Sequence, residues 1–465
     1  MVFSSLSFLF LFFPLTFILY IAVPNWTYRN ILLIITSLIF YAWGEPVYVF
    51  LLLFSVLVNW LLALAISKRV RGGKALLCGA VILNIGLLVV FKYSGFLVES
   101  VNGLFSLSLP VPAIRLPIGI SFFTFQTLSY VIDVYRDKSC VQKKLSRLLL
   151  YISFFPQLIA GPIVKYHDIR DQLEVRDLSA DRIAEGLRRF SYGLAKKVLI
   201  SNTMAVVADY AFGLPGDSLS IYTAWLGAVC YMLQIYFDFS GYSDMAIGLG
   251  ALLGFRFPEN FNYPYIAASV TEFWRRWHMT LSRWFRDYVY IPLGGNRKGM
   301  GKQLRNILIV WLLTGFWHGA AWNFLCWGLY FAALLILEKL VLLRFLEKHR
   351  IFGHVYLLLA VVFGFVLFDA STLSGAWDCI RGMLGLGGLP IASAEGVYLL
   401  KSDALLLILA ALGATPLPKH IAKVLEARCP KAAALLHPAA LCALLLICTA
   451  YLVDGSYNPF LYFRF

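Results

Sequence analysis

The feature that most constrains this chain is a succession of apolar runs of roughly bilayer length, separated by short polar breaks rich in lysine and arginine. Such runs lie at about 3–23, 31–46, 47–67 and 75–93, then near 190–212, 221–237, 304–322, 323–342, 353–371, 398–415 and 434–453. Lipid offers no partner to a backbone amide, so each run must satisfy its own hydrogen bonds as a helix. With 60% of the 465 residues hydrophobic and 14% charged, a soluble domain could not hide this much apolar surface. The pattern predicts an all-α polytopic membrane protein, one integral domain over residues 1–465.

Charge orients the runs. The break KRVRGGK at 68–74 is strongly basic and belongs in the cytoplasm, which places the N-terminus outside and Arg29 in the first inner loop. Val2–Val23 lacks a basic leader and a small-residue cleavage site, so it reads as a retained first span rather than a signal peptide. Residues 94–117 are too polar and proline-rich for a span and predict an outer loop or a short lateral helix. The next crossing, LPIGISFFTFQTLSYVIDVYR, ends at Arg136 and Lys138.

The run at 148–166 carries Pro156 and Gly161-Pro162 and predicts a re-entrant or broken segment. GLPGDSLS, with no lysine or arginine, goes outside, and the basic residues from Arg256 to Arg305 go inside. The sum is about twelve crossings with both ends outside. The formal charge of +15 is therefore read as basic inner loops, not as nucleic-acid binding. Eight cysteines scattered through apolar runs, with no CxxC pair, indicate neither a disulfide framework nor a metal site.

Chemistry concentrates between Glu272 and Asn323, where two of the seven histidines, His278 and His318, each follow a tryptophan. His318 lies in an apolar stretch from Arg305 to Glu338. An ionisable group at that depth is either a proton-transfer residue or a neutral imidazole bonded to a carbonyl. Around His278 stand Arg275, Arg276, Arg283, Arg286 and Asp287, interleaved with Phe273, Trp274, Trp277, Leu281, Trp284 and Phe285. That spacing predicts an amphipathic helix on the membrane surface, either a ligand site or a headgroup-binding belt. Asp238 and Asp244 border the Gly- and Ser-interrupted stretch upstream; one of them could pair with the 275–286 cluster, or either could form a buried ion pair between helices.

A basic cytoplasmic face suits a phosphorylated donor such as a coenzyme A thioester, since arginine grips phosphate through charged, often bidentate hydrogen bonds. A deeper histidine suits a base that deprotonates an acceptor hydroxyl as it attacks an acyl carbon. No GxSxG elbow is present, which favours direct transfer over an acyl-enzyme. The rival of another class, a transporter of an anionic glycolipid, is disfavoured because no paired internal repeat is visible. A structural scaffold in an exopolysaccharide machine is a third reading.

Several stretches carry a family resemblance: the N-terminal MVFSSLSFLFLFFP, LPIGISFFTFQTLSYVIDVYR at 116–136, FFPQLIAGPIV at 154–164, YFDFSGYSDMAIGLGALLGFRFPENFNYPY at 236–265, EFWRRWHMTLSRWFRDYVYIPLGGNRKG at 272–299 and GFWHGAAWNFLCWG at 315–328. Over about residues 1–370 the chain resembles the membrane-bound O-acyltransferase family, most closely its alginate O-acetyltransferase branch; residues 371–465 read as additional transmembrane helices. The resemblance implies a helical bundle whose central tunnel joins a cytoplasmic donor side to an outward funnel. It makes His318 the counterpart of the family's catalytic histidine and His278 that of a second one.

Arg275, Arg276, Arg283 and Arg286 stand as donor-binding candidates, and Asp238, Trp317 and Asn323 as supporting, tunnel-lining ones. The implied activity is O-acetylation of a secreted or envelope polysaccharide from acetyl-CoA or another acyl thioester. It would take place in the bacterial plasma membrane, with no bound cofactor or metal and with an extracytoplasmic protein partner as one option. The related D-alanyl transferases of teichoic acid, fed by a carrier protein, are the alternative within the family; LGGNRKG and GFWHGA favour the polysaccharide branch.

Overall fold

The computed structural model describes residues 1–69, 72–214, 219–386, 388–455, 458 and 461. Two sequence landmarks, the basic break at 68–74 and the loop GLPGDSLS, fall partly outside them. Among the described residues the fold is helical throughout, without a strand. Two compact units form, one from Met1–Phe190 with Ser243–Glu259, the other from Ser191–Tyr242 with Asn260–Phe465.

Five described helices are long and apolar enough to cross a membrane: Tyr48–Lys68, Gly73–Phe105, Arg350–Asp369, Ala394–Gly413 and Pro430–Asp454. Phe8–Ala22 is a shorter apolar helix. The sequence predicts about twelve crossings. Several of the other runs form helices of 17 residues or fewer, such as Trp26–Ala42, Ile120–Arg136 and Leu145–Ser153. Of the loop and the short lateral helix expected over 94–117, residues 94–105 form a helix, but one that continues the preceding helix through a π-turn at Val89–Tyr93, and irregular chain begins only at Ser106, which has a positive φ.

The first unit is knit by aromatic packing and by polar contacts between helices. Phe3, Phe8, Phe40 and Phe155 are wholly buried against one another. Asn59 and Asn84, both fully buried, exchange side-chain bonds of 3.2 and 2.7 Å, and Thr127 donates to Asn84 at 2.9 Å. Amide pairs of this kind hold apolar helices together where lipid supplies no hydrophobic drive. The 148–166 segment is broken, in line with its prolines: one helix ends at Ser153, Phe154 is non-helical, and a single turn Phe155–Leu158 follows.

In the second unit, residues 221–242 of the helix Ile221–Leu252 and the helices Met300–His318, Trp322–Leu337 and Arg350–Asp369 supply most of the described core around the histidines.

Candidate active site

His318 is the last residue of its helix, and glycines set its position. Met300–His318 and Trp322–Leu337 form a tight hairpin in which a Cβ on Gly315 would lie 2.3 Å from the Phe324 carbonyl oxygen and one on Gly328 2.4 Å from that of Trp311. At Gly319 an added Cβ would meet the Phe324 ring at 2.0 Å. Only glycine permits such approach. The motif GFWHGAAWNFLCWG therefore encodes a corner that turns the histidine out of its helix against Trp317, Trp327 and Phe368, with ring centroids 4.9, 5.0 and 5.2 Å away. Asn323 tightens the corner by donating to the Phe368 carbonyl at 3.2 Å, and Trp317 is buried in the wall.

His318 is partly exposed and opens on a cavity of about 30 Å³ whose wall includes Asp238, Phe239, Trp277, Phe365 and Leu461. That is room for a water or a reacting hydroxyl in a mostly aromatic enclosure. Its charged wall residue, Asp238, is tied down on both oxygens. Lys197 Nζ lies 2.5 Å from Oδ1, and the Leu461 amide donates to Oδ2 at 3.0 Å.

Lys197 was not among the sequence candidates. It sits in the run at 190–212, where a lysine reads as a topology mark, and the only signal was its depth inside an apolar stretch. The expected partnership of Asp238 or Asp244 with the 275–286 arginines does not form. Asp244 instead meets Arg189 at 2.9 Å, and that arginine also holds Glu259 at 2.5 Å. Arg275, Arg283 and Arg286 are exposed, whereas Asp238 is buried.

The stretch around His278 is not the continuous amphipathic helix that its periodicity predicts. It comprises two seven-residue helices, Val270–Arg276 and Met279–Phe285, broken at His278, which takes the left-handed conformation with φ 42°. Nor does His278 lie on a wet surface, since it is 1% exposed and its ring meets Phe239 edge-on at 4.6 Å. Its Nδ1 is 3.1 Å from Asn260 Oδ1, an oxygen that also accepts from the Thr280 hydroxyl at 2.9 Å. A carboxamide oxygen only accepts, so Nδ1 carries the proton and Nε2 is left with its lone pair.

Met279 donates to the Asn260 carbonyl and Asn262 to that of Arg276, each at 2.9 Å, which clasps the PENFN segment onto the WRRWHMT break. Burial above all, with a protonated His318 acting in the same direction, pushes the His278 imidazole well below its usual value. It is held neutral. Trp317 stands between the two histidines, 6.1 Å from His278 and 4.9 Å from His318 by ring centroids.

A buried carboxylate fixes the approach to His278. Glu338, fully buried, accepts from the amides of Val270 and Thr271 at 2.5 and 2.8 Å and from the Thr271 hydroxyl at 2.6 Å. It thereby caps the short helix from outside, where the N-terminal amides favour an anion. Of the donor-binding candidates, Arg276 is already engaged by Glu272 at 2.8 Å and by the Asn262 carbonyl at 3.2 Å. Arg286 reaches Asp287 only at 3.7 Å. Arg275, Arg283 and Arg286 are exposed and available to a ligand.

A family model described as MBOAT, the membrane-bound O-acyltransferase family, matches residues 87–373. A protein of Pseudomonas aeruginosa described as a probable alginate O-acetylase is 41% identical over 93% of this chain and 85% of its own length. A peptidoglycan O-acetyltransferase of Helicobacter pylori is 36% identical over 84% of this chain and 81% of its own. A teichoic acid D-alanyltransferase of Bacillus subtilis is 32% identical over 47% of this chain and 58% of its own.

Proposed function

The chain belongs to the membrane-bound O-acyltransferase family, and from that premise we propose that it acetylates hydroxyls of a secreted or cell-envelope polysaccharide, using an acyl thioester such as acetyl-coenzyme A. It is an O-acyltransferase and a multi-pass membrane protein. Similarity to an alginate O-acetylase and to a peptidoglycan O-acetyltransferase along most of the chain supports a carbohydrate acceptor. The D-alanyltransferase likeness covers less than half of the chain. We place the reaction in the bacterial plasma membrane, the donor on the basic face of Arg275, Arg283 and Arg286, and the acceptor on the opposite side, where a protein partner is one route to the final acceptor.

The single observation that carries this reading is the partial opening of His318 onto an aromatic cavity whose carboxylate is already neutralised by Lys197. In the reaction a ring nitrogen of His318 takes the proton of the acceptor hydroxyl as that oxygen bonds to the thioester carbonyl carbon. The C–S bond then breaks, the sulfur leaves with the electron pair, and the imidazolium returns the proton to it, giving ester and free thiol. The aromatic walls keep water from competing for the acyl carbon.

The test is transfer of labelled acetate from acetyl-coenzyme A to an oligosaccharide by the purified protein in a bilayer disc. Covalent label on the glycan is expected. Movement of a glycan across a vesicle wall without label would instead mark a transporter.

A further inference from the structure

In the first unit two arginines are buried with no acid beside them among the described residues. Arg29 is 9% exposed and begins the helix Trp26–Ala42, and Arg176, 6% exposed, follows the turn Asp171–Leu173. Both guanidinium groups address the Trp26 ring, at 4.8 and 5.1 Å from its centroid, and Phe255 lies 4.4 Å from that of Arg176. A Cβ on Gly254 would lie 2.9 Å from Arg176 Cβ, so the loop before Phe255 closes directly over this arginine.

Their hydrogen bonds use only part of the donors. Arg29 Nε donates to the Tyr20 carbonyl at 3.0 Å, and Arg176 donates Nε to the Tyr20 hydroxyl at 3.1 Å and Nη1 to the Gln172 carbonyl at 3.2 Å. The Arg176 Nη2 is buried with no acceptor among the described residues. Neither guanidinium meets a carboxylate among the described residues, and the charge of Arg29 acts on Arg176.

Two like charges in a low-dielectric corner are unfavourable unless an anion joins them. The aromatic rings stack on the guanidinium faces, and the donor left over on Arg176, Nη2, suits an oxygen of a phosphate. From this arrangement we infer that Arg29 and Arg176 form a binding site for a phosphate group, whether of an anionic phospholipid or of a soluble phosphorylated ligand such as coenzyme A. The surroundings favour the lipid. The two helices that flank the pair present exposed Ile18, Ile21, Ile31 and Ile35, an apolar surface for acyl chains, and a tryptophan beside a cation is the composition of a headgroup belt.

Native mass spectrometry of the full-length protein tests the assignment. One arm offers phosphatidylglycerol against phosphate-free diacylglycerol with the same chains, and the other offers coenzyme A without lipid. The wild type is expected to retain phosphatidylglycerol about tenfold better than diacylglycerol, the ratio that loss of one charged hydrogen bond would erase. Arg29→Gln and Arg176→Gln should each abolish that preference, and Arg176→Lys, which keeps the charge without the fork, should reduce it. Arginine-dependent retention of coenzyme A, with no lipid preference, would assign the phosphate to the soluble ligand. Equal retention of the two lipids by the wild type, with coenzyme A unbound or bound equally by the variants, would overturn the site; the wild-type comparison decides even if a variant fails to fold.

Discussion

Lys197 and Asp238 meet at 2.5 Å with side chains 2% exposed, and Asp238 lines the cavity into which His318 opens. A lone charge at that depth would be very costly, and paired they leave the enclosure close to neutral. The acyl transfer drawn above therefore develops its charge in surroundings where no net countercharge must first be displaced.

Breaking the pair from one side should be expensive. Lys197→Met or Asp238→Asn each leaves a buried partner unmatched, a loss on the order of 3–5 kcal/mol, whereas Lys197→Met with Asp238→Leu should recover much of it. Thermal melting of the detergent-solubilised variants reads this directly. The double variant is expected to stay well below wild-type turnover, because the cavity has lost its polar wall; full activity would make the pair purely structural.

His278 should assist without carrying the proton. Its Nδ1 is committed to Asn260 and its ring is sealed by Phe239, so its effect runs through the position of Trp317 and the cavity. His278→Gln and Asn260→Ala should each lower kcat by about tenfold, as the loss of one buried hydrogen bond would. Complete inactivation of folded His278→Gln with normal donor binding would reverse the ranking of the two histidines.

The exposed arginines should act on the donor. Arg275→Gln and Arg283→Gln are expected to raise KM for the acyl thioester by about tenfold to a hundredfold, the worth of one charged hydrogen bond, with kcat little changed. Arg276→Gln should do less to KM, since Glu272 already holds that side chain. Donor kinetics unchanged in all of them would remove the donor from this face.

How much of this was legible in the sequence depended on range. The His318 corner was, because glycines, tryptophans and the histidine that make it are neighbours along the chain and the apolar flanks expose a misplaced ionisable group. The break at Ser153 was legible for the same local reason, prolines at hand. The surface helix around His278 was not: apolar spacing reads straight through one left-handed residue, and histidine is among the side chains that tolerate that conformation. The Lys197–Asp238 pair was also hidden, since nothing local distinguishes a lysine that folds inward onto a distant carboxylate from one that marks a membrane face.

A pH effect on stability follows from His167. The carboxylates of Asp133, and after it Asp168, push its imidazole up to about 9; they lie 3.7 and 3.1 Å away. The folded value is above the unfolded one, so this stabilisation is complete below about pH 6.5 and disappears as pH rises through about 9. The ring is 55% exposed, which keeps the effect small. Melting temperature should fall between pH 6.5 and 9.5, and His167→Gln should flatten that part of the slope; an identical slope in the variant would exclude the histidine as its source.

The most direct test is single-turnover acetyl transfer by His318→Gln, with donor binding and membrane yield measured in the same preparation. Glutamine keeps the size and hydrogen bonding of the side chain but cannot take up the hydroxyl proton. The account predicts normal folding and donor binding with a rate lower by about 10²–10⁴, the contribution of a general base. A rate near that of the wild type would contradict it and leave His318 as a packing group at the end of its helix.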